Sequence, residues 1–308
     1  IGVILDAVKR NFTLVDDIEI TMEANPGTVE CGAPAGYRHA GVTRLSIGAQ
    51  SFDDDMLGRL GRIHSSADIV RSVAEAKEGG FDNFNVDVMH GLPGQTVEAA
   101  LADLAAAVDL GPTHLSWYQL TLEPNTVFHA RPPEDLPDDE LCDDIQRHGF
   151  AFLENAGFDQ YEVSAYARDG RQCRHNLNYW SFGDYLAVGA GAHGKISQPG
   201  AACRYVKPAH PLQYITSVER EELPPPQRIR DADLVFEFML NALRLNDGFS
   251  EELFEMRTGL DRSDLDDALR SPRRKGLIAQ SAPGRWRPTA LGRRFLNDLQ
   301  AEFVDSVD

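Results

Sequence analysis

Glu23, Gln50, Asp87 and Gln119 each stand near the end of a stretch that reads as a β-strand. A carboxylate or amide at that place in a βα unit points toward the mouth of a sheet or barrel, where ligands bind. Any one of the four could serve only to cap the loop after it. Four of them in successive units point to a polar ligand at the C-terminal rim of a barrel or part-barrel.

The stretch from 84 to 95 shows how such a side chain is carried. Phe84, Val86 and Val88 alternate with Asn85, Asp87 and Met89, which marks a strand with one apolar face. Gly91-Leu92-Pro93-Gly94 is a turn, and Thr96 can cap a helix over Val97–Asp109. Residues 18–27 repeat the theme as a strand ending in Asn25-Pro26-Gly27, and residues 44–51 do so as a strand ending at Gln50. Residues 114–122 make a fourth strand closed by Glu123-Pro124, and helices are expected over 53–60 and 67–79. Strands at roughly 25–40-residue spacing with helices between them are the pattern of a parallel βα array.

The remaining segments are read more briefly. The chain opens inside a helix over 1–10 with no initiating Met, as if it had lost its true N-terminus. The strand near 18–24 is then expected at an edge of the sheet. Residues 131–139 form a loop rich in Pro and acids, 138–157 an amphipathic helix, and 158–166 a strand at the sheet edge. Residues 185–194 are a Gly/Ala run around His193, without the strand-then-helix setting of a dinucleotide fingerprint. Small residues there suit close backbone packing or close ligand approach. Leu223-Pro224-Pro225-Pro226 marks a boundary, giving expected domains 1–222 and 227–308. Helices over 231–245, 250–258 and 264–275, short strands over 276–280 and 285–289 and a last helix over 289–303 resemble a winged-helix module.

Composition narrows the classes. At 308 residues and 42% apolar the chain suits a globular protein, with no apolar run long enough to span a bilayer and nothing like a signal peptide at its start. A net charge of −18 excludes nucleic-acid binding through a general electrostatic field, so a structural or docking role is expected for the winged-helix-like module. Cys31, Cys142, Cys173 and Cys203 lie far apart and form no C-x-x-C pair, which fits a reducing, cytoplasmic setting.

An ordered set of motifs carries a resemblance. It comprises Glu23-Ala24-Asn25-Pro26, Gly41-Val42-Thr43-Arg44-Leu45-Ser46-Ile47-Gly48-Ala49-Gln50-Ser51, Leu60-Gly61-Arg62-Ile63-His64, Asp87-Val88-Met89-His90-Gly91-Leu92-Pro93-Gly94-Gln95 and Ser116-Trp117-Tyr118-Gln119-Leu120. The set resembles the radical S-adenosylmethionine proteins related to oxygen-independent coproporphyrinogen III oxidase. His175-Asn176-Leu177-Asn178-Tyr179-Trp180 and Gly189-Ala190-Gly191-Ala192-His193-Gly194-Lys195 are similar to the HemW-type heme-chaperone branch, and the resemblance covers nearly the whole chain.

The resemblance implies a partial parallel (β/α) barrel with S-adenosylmethionine and a 4Fe–4S cluster as cofactors. Glu23 would take the methionyl ammonium, Gln50 and Arg62 its carboxylate, Asp87 the ribose hydroxyls, and Gln119 or Tyr118 the adenine side. The family's C-x-x-x-C-x-x-C cluster motif would lie before Ile1 together with the first strands, so the chain as given is expected to be unable to do radical chemistry.

Three functions are then open. A heme chaperone would bind heme and hand it to acceptors such as respiratory cytochromes, meeting membranes only through them. Its candidate contacts are His175 as iron ligand, Asn176, and the flat surfaces of Tyr179 and Trp180, with Cys173 and His193 of lower rank. Against this, His175 and Asn176 could be turn residues, Trp180 core and Cys173 a buried structural thiol. The second function is a coproporphyrinogen III oxidase (dehydrogenase), and the third a βα-barrel binding module with no redox role.

Overall fold

The computed structural model describes residues 1–27, 33–124, 126–198 and 201–304, so Cys31 lies outside the described residues. They form two compact units, Ile1–Cys173 and Arg174–Asp308. The Pro-rich boundary expected at 223–226 falls inside the second of these.

The first unit is built on one six-stranded sheet. Its strands are β1 (Thr21–Ala24), β2 (Arg44–Gln50), β3 (Phe84–His90), β4 (His114–Gln119), β5 (Asp159–Glu162) and β6 (Ala165–Ala167), in the spatial order β1-β2-β3-β4-β6-β5. β1 to β4 pair in parallel and in sequence order. Right-handed crossovers without a reversal of strand order place every connecting helix on the same side, which curls the sheet into a part-barrel. A doubly wound sheet would reverse its order. β1 ends the sheet, as expected for the strand near 18–24.

The helices are α1 (Gly2–Asn11), α2 (Ala33–Ala40), α3 (Asp54–Arg59), α4 (Ser66–Glu78), α5 (Val97–Asp109), the single turn α6 (Val127–Ala130) and α7 (Asp139–Asn155). The core lies between sheet and helices: Leu45, Ile47, Val86, Val88, Leu115 and Trp117 meet Ile69 and Val73 of α4, Ala100 and Leu104 of α5, and Ile145 of α7. Local chemistry starts these helices. Thr96 accepts from the Ala99 amide, and Ser65 with Asp68 forms a capping box.

One expected element divides in two. Instead of one strand over 158–166, β5 and β6 form an antiparallel hairpin. The Glu162 carboxylate accepts from the Ser164 amide and the Gln160 amide donates to the Val163 carbonyl, which closes the turn.

The second unit opens with helix α8 (Arg174–Trp180). The Gly/Ala run leads into strand β7 (His193–Gln198), which pairs antiparallel with β8 (Ala201–Val206). The small residue at 194 serves cross-strand packing, since a Cβ on Gly194 would lie 2.1 Å from the Tyr205 ring. Helix α9 (Pro211–Glu219) and the short β9 (Gln227–Arg228) follow. Helices α10 (Asp231–Ala242), α11 (Glu251–Thr258) and α12 (Arg262–Arg274) then pack with a sheet of β10 (Phe249–Ser250), β12 (Arg285–Pro288) and β11 (Ile278–Ala282), which is winged-helix-like. Phe238 meets Phe249 and Phe254 edge-on in its core. The single last helix expected over 289–303 is broken at Phe295 into α13 (Ala290–Arg294) and α14 (Leu296–Ala301). Among the described residues no helix is long and apolar enough to cross a membrane.

Candidate functional site

Strand alternation sorts the barrel strands into an apolar outer face and a polar inner one. Ser46, Asn85, Asp87 and Ser116 share the inner face, where Ser46 is in register with Asn85, and Asp87 with Ser116. They form one hydrogen-bonded group. The Asp87 carboxylate accepts from Ser46 Oγ at 3.1 Å and from Asn85 Nδ2 at 2.8 Å. Asn85 Oδ1 accepts from Ser116 Oγ at 3.1 Å and lies 2.7 Å from His114 Nδ1, whose Nε2 is 2.8 Å from the Tyr161 hydroxyl. Burial raises the pKa of Asp87, opposed by bonds from Asn85, Ser116 and Ser46. Asp87 is therefore bonded within the inner face rather than to the loop that follows β3.

Gln50 closes β2 at a register shift, is buried, and has φ +71° despite carrying a Cβ. Its Oε1 accepts from the Tyr118 hydroxyl at 2.7 Å. The amide folds over a bare piece of backbone: a Cβ on Gly48 would come within 2.9 Å of Gln50 Nε2. Burial pushes the Tyr118 hydroxyl up to about 12, and it feels the charges of Asp87, Arg62 and Glu23. Glu23 and Arg62 are exposed, the first at the end of β1 and the second in the loop between α3 and α4. Carboxylates, a guanidinium and an amide gathered beside a bare backbone form a donor and acceptor set that fits an amino-acid ammonium and carboxylate together with sugar hydroxyls.

Gln119 is placed differently. Alternation turns it away from Asp87, and its Nε2 lies 3.4 Å from Cys142 Sγ on α7. Tyr118, one residue earlier, is the residue of β4 that reaches Gln50. Ser46, Asn85 and Ser116 were missed in the sequence, although the parity that marks Asp87 also selects them. Among the described residues no three His, Cys, Asp or Glu side chains come together to hold a metal ion.

The second unit holds a different constellation. His175 and Tyr179 are one helical turn apart on α8, on the same face. Their rings lie 5.9 Å apart, and Tyr185 stacks on Tyr179 at 4.7 Å with an interplanar angle of 29°. The two tyrosine hydroxyls are 3.1 Å apart. His175 is exposed, whereas Asn176, Tyr179 and Trp180 are half-buried. Trp180 meets Tyr179 edge-on, and the Arg244 guanidinium covers it at 4.2 Å. His175 and Asn176 are thus helical rather than turn residues, and Trp180 anchors the helix. His193 begins β7, and Cys173, buried in the first unit, has its Sγ 3.6 Å from Glu19 Oε1. Tyr185 went unnoticed because it lies outside the motif, on the loop after α8.

Comparison with known proteins gives the family and the fold. Residues 3–106 match the Radical SAM superfamily and residues 229–295 the HemN C-terminal domain. The fold is that of coproporphyrinogen III oxidase (HemN) from Escherichia coli, with a TM-score of 0.78 over 99% of this chain and 74% of that one, at 22% identity. Fold and matched segments define a radical SAM protein with a HemN-type C-terminal domain. The chain is 47% identical over 99% of its length to the heme chaperone HemW of Haemophilus influenzae, spanning 78% of that protein. It is 45% identical over 98% of its length to the heme chaperone HemW of Escherichia coli, spanning 79% of it. The chain belongs to the HemW family.

Proposed function

We propose that the protein is a heme chaperone that holds heme against the His175–Tyr179–Tyr185 ladder and passes it to acceptor proteins. The observation that carries this reading is the ladder itself: an exposed imidazole beside two stacked phenol rings offers an iron ligand next to a flat apolar plate. Identity to HemW chaperones over nearly the whole chain supports it. Asn176 completes the motif, and Trp180 under Arg244 fixes the helix that presents it. Acceptors such as respiratory cytochromes and a cytoplasmic location belong to the same reading. Among the described residues Cys142, Cys173 and Cys203 form no disulfide, which suits a reducing compartment.

The barrel face is assigned to S-adenosylmethionine. Glu23 would pair with its ammonium, Gln50 and Arg62 would hold its carboxylate, and Asp87 would accept from its ribose hydroxyls. Tyr118 replaces Gln119 as the residue of β4 beside this group, since it bonds Gln50. Bound there, S-adenosylmethionine supplies a sulfonium centre, whose reductive cleavage requires a 4Fe–4S cluster as electron source.

The test is a heme titration followed by absorbance. A saturable Soret shift that His175→Ala weakens by about tenfold or more supports the assignment. Equal titrations of the two proteins would remove His175 from the site. Turnover of coproporphyrinogen III by the full-length, cluster-loaded protein would favour the oxidase reading instead.

A further inference from the structure

We propose that Asp103, on the helix outside the barrel, is a positioning residue that holds Gln50 in the backbone conformation from which its amide meets the ligand. The proposal rests on the reading of Gln50 as a ligand contact.

Gln50 has φ +71°, a region that side chains with a Cβ rarely adopt, so its surroundings must over-determine it. Tyr118 bonds the tip of the side chain but does not set the backbone. Asp103 sets the residues that follow. Its carboxylate accepts from Ser51 Oγ at 2.9 and 3.1 Å and from the Phe52 amide at 2.7 Å. Ser51 Oγ in turn accepts from the Asp53 amide at 3.1 Å, which continues the fixed segment to the cap of α3. On the other side, His64 Nε2 lies 3.2 Å from the Ala49 carbonyl oxygen. The backbone is therefore held immediately before and immediately after Gln50. His64 follows Arg62 by two residues, so the same brace ties together the two side chains assigned to the ligand carboxylate.

The location of Asp103 calls for such an explanation. It occupies a core-facing position of α5, between Ala100 and Ala107 and next to Leu104, all fully buried. A carboxylate is expensive there unless paired. Burial pushes it up to about 6, the nearby Asp53 adding to the rise, while the bonds from Phe52 and Ser51 pull it down. Among the described residues its bonds go to the 51–52 segment beside Gln50. Without them, Gln50 is free to relax to negative φ, which swings its amide off Gly48 and Tyr118.

A double-mutant cycle separates positioning from general stability. S-adenosylmethionine affinity is measured by equilibrium dialysis on the full-length, cluster-reconstituted protein and on its Gln50→Ala, Asp103→Asn and doubly substituted forms, with thermal midpoints alongside. Gln50→Ala is expected to weaken binding about tenfold, Asp103→Asn by a similar factor, and the double substitution no further than Gln50→Ala alone. Ser51→Ala keeps the Phe52 bond and is the gentler variant should Asp103→Asn fold poorly. It is expected to show a smaller loss, again absent in the Gln50→Ala background. Wild-type affinity in Asp103→Asn, or losses that multiply in the double variant, overturn the positioning role and leave Gln50 as a contact. Unchanged affinity in Gln50→Ala overturns the contact role, and the proposal with it.

Discussion

On the barrel face, Asp87 is bonded to Ser46 and Asn85, and Asn85 is linked onward to Ser116 and His114, all on strands that also supply the core. In the second unit, His175 stands exposed on a helix of seven residues, beside Tyr179 and Tyr185. In the first region, side chains available to a ligand also satisfy one another, so function and stability share the same bonds. In the second, His175 and Tyr179 project from a helix whose anchor, Trp180 under Arg244, is a separate residue. The difference suits the proposed tasks. A cofactor held through every turnover needs a rigid, preorganised cradle, whereas a cargo that must leave needs an accessible plate.

The sharpest way to break this comparison is Asp87→Ala. It removes the acceptor for Ser46 and Asn85 as well as the group assigned to the ribose. S-adenosylmethionine affinity should fall about 100-fold, and leaving buried donors unpaired should cost about 1–3 kcal/mol of stability. His175→Ala should leave the melting midpoint close to wild type, since exposed substitutions usually stay within about 0.5 kcal/mol. Chemical denaturation of both variants beside ligand titrations checks the pair. If His175→Ala proved as destabilising as Asp87→Ala, the two regions would not differ in kind.

Much of the first region was legible because its determinants are local. The period-two alternation of 84–90 fixes which face Asp87 occupies, and Thr96 caps the next helix from a neighbouring position. The resemblance left Gln119 and Tyr118 as alternatives, and the same parity selects Tyr118, which shares the face of Ser116. The Asp103–Ser51 bond joins residues 52 apart, and only packing brings them together. The hairpin of β7 and β8 was hidden by glycines and alanines, which carry little strand signal. Tyr185 was invisible for a related reason, because stacking across a loop leaves no period in the sequence.

Acidity probes the first region more gently. The Asp103 carboxyl titrates near 6 in the folded protein against an ordinary value of 3.8. The native state therefore holds more protons than the unfolded chain between those values. The stability this group contributes is complete below about 4 and lost as pH rises through about 6. Asp103→Asn removes that dependence, so the substitution should cost more at pH 4.5 than at pH 7, as read from urea midpoints. An equal cost at both values would mean that Asp103 titrates normally.

The smallest effect is expected at Tyr185→Phe, and it tests what the ladder does. The substitution keeps the ring stacked at 4.7 Å on Tyr179 and deletes only the hydroxyl that lies 3.1 Å from its neighbour. A bond of this kind contributes about 0.5–1.5 kcal/mol net, less at a half-exposed site. If the ring is a plate for porphyrin, heme affinity should change by less than about threefold, while Tyr185→Ala should weaken it about tenfold. Burial, with the Tyr179 hydroxyl beside it, pushes the Tyr185 hydroxyl up to about 12, which disfavours a phenolate ligand to iron. The Soret position of Tyr185→Phe should therefore match wild type. A shift as large as that of His175→Ala would make Tyr185 an iron ligand, and the ladder would then be a coordination site built from oxygen rather than an imidazole beside an apolar plate.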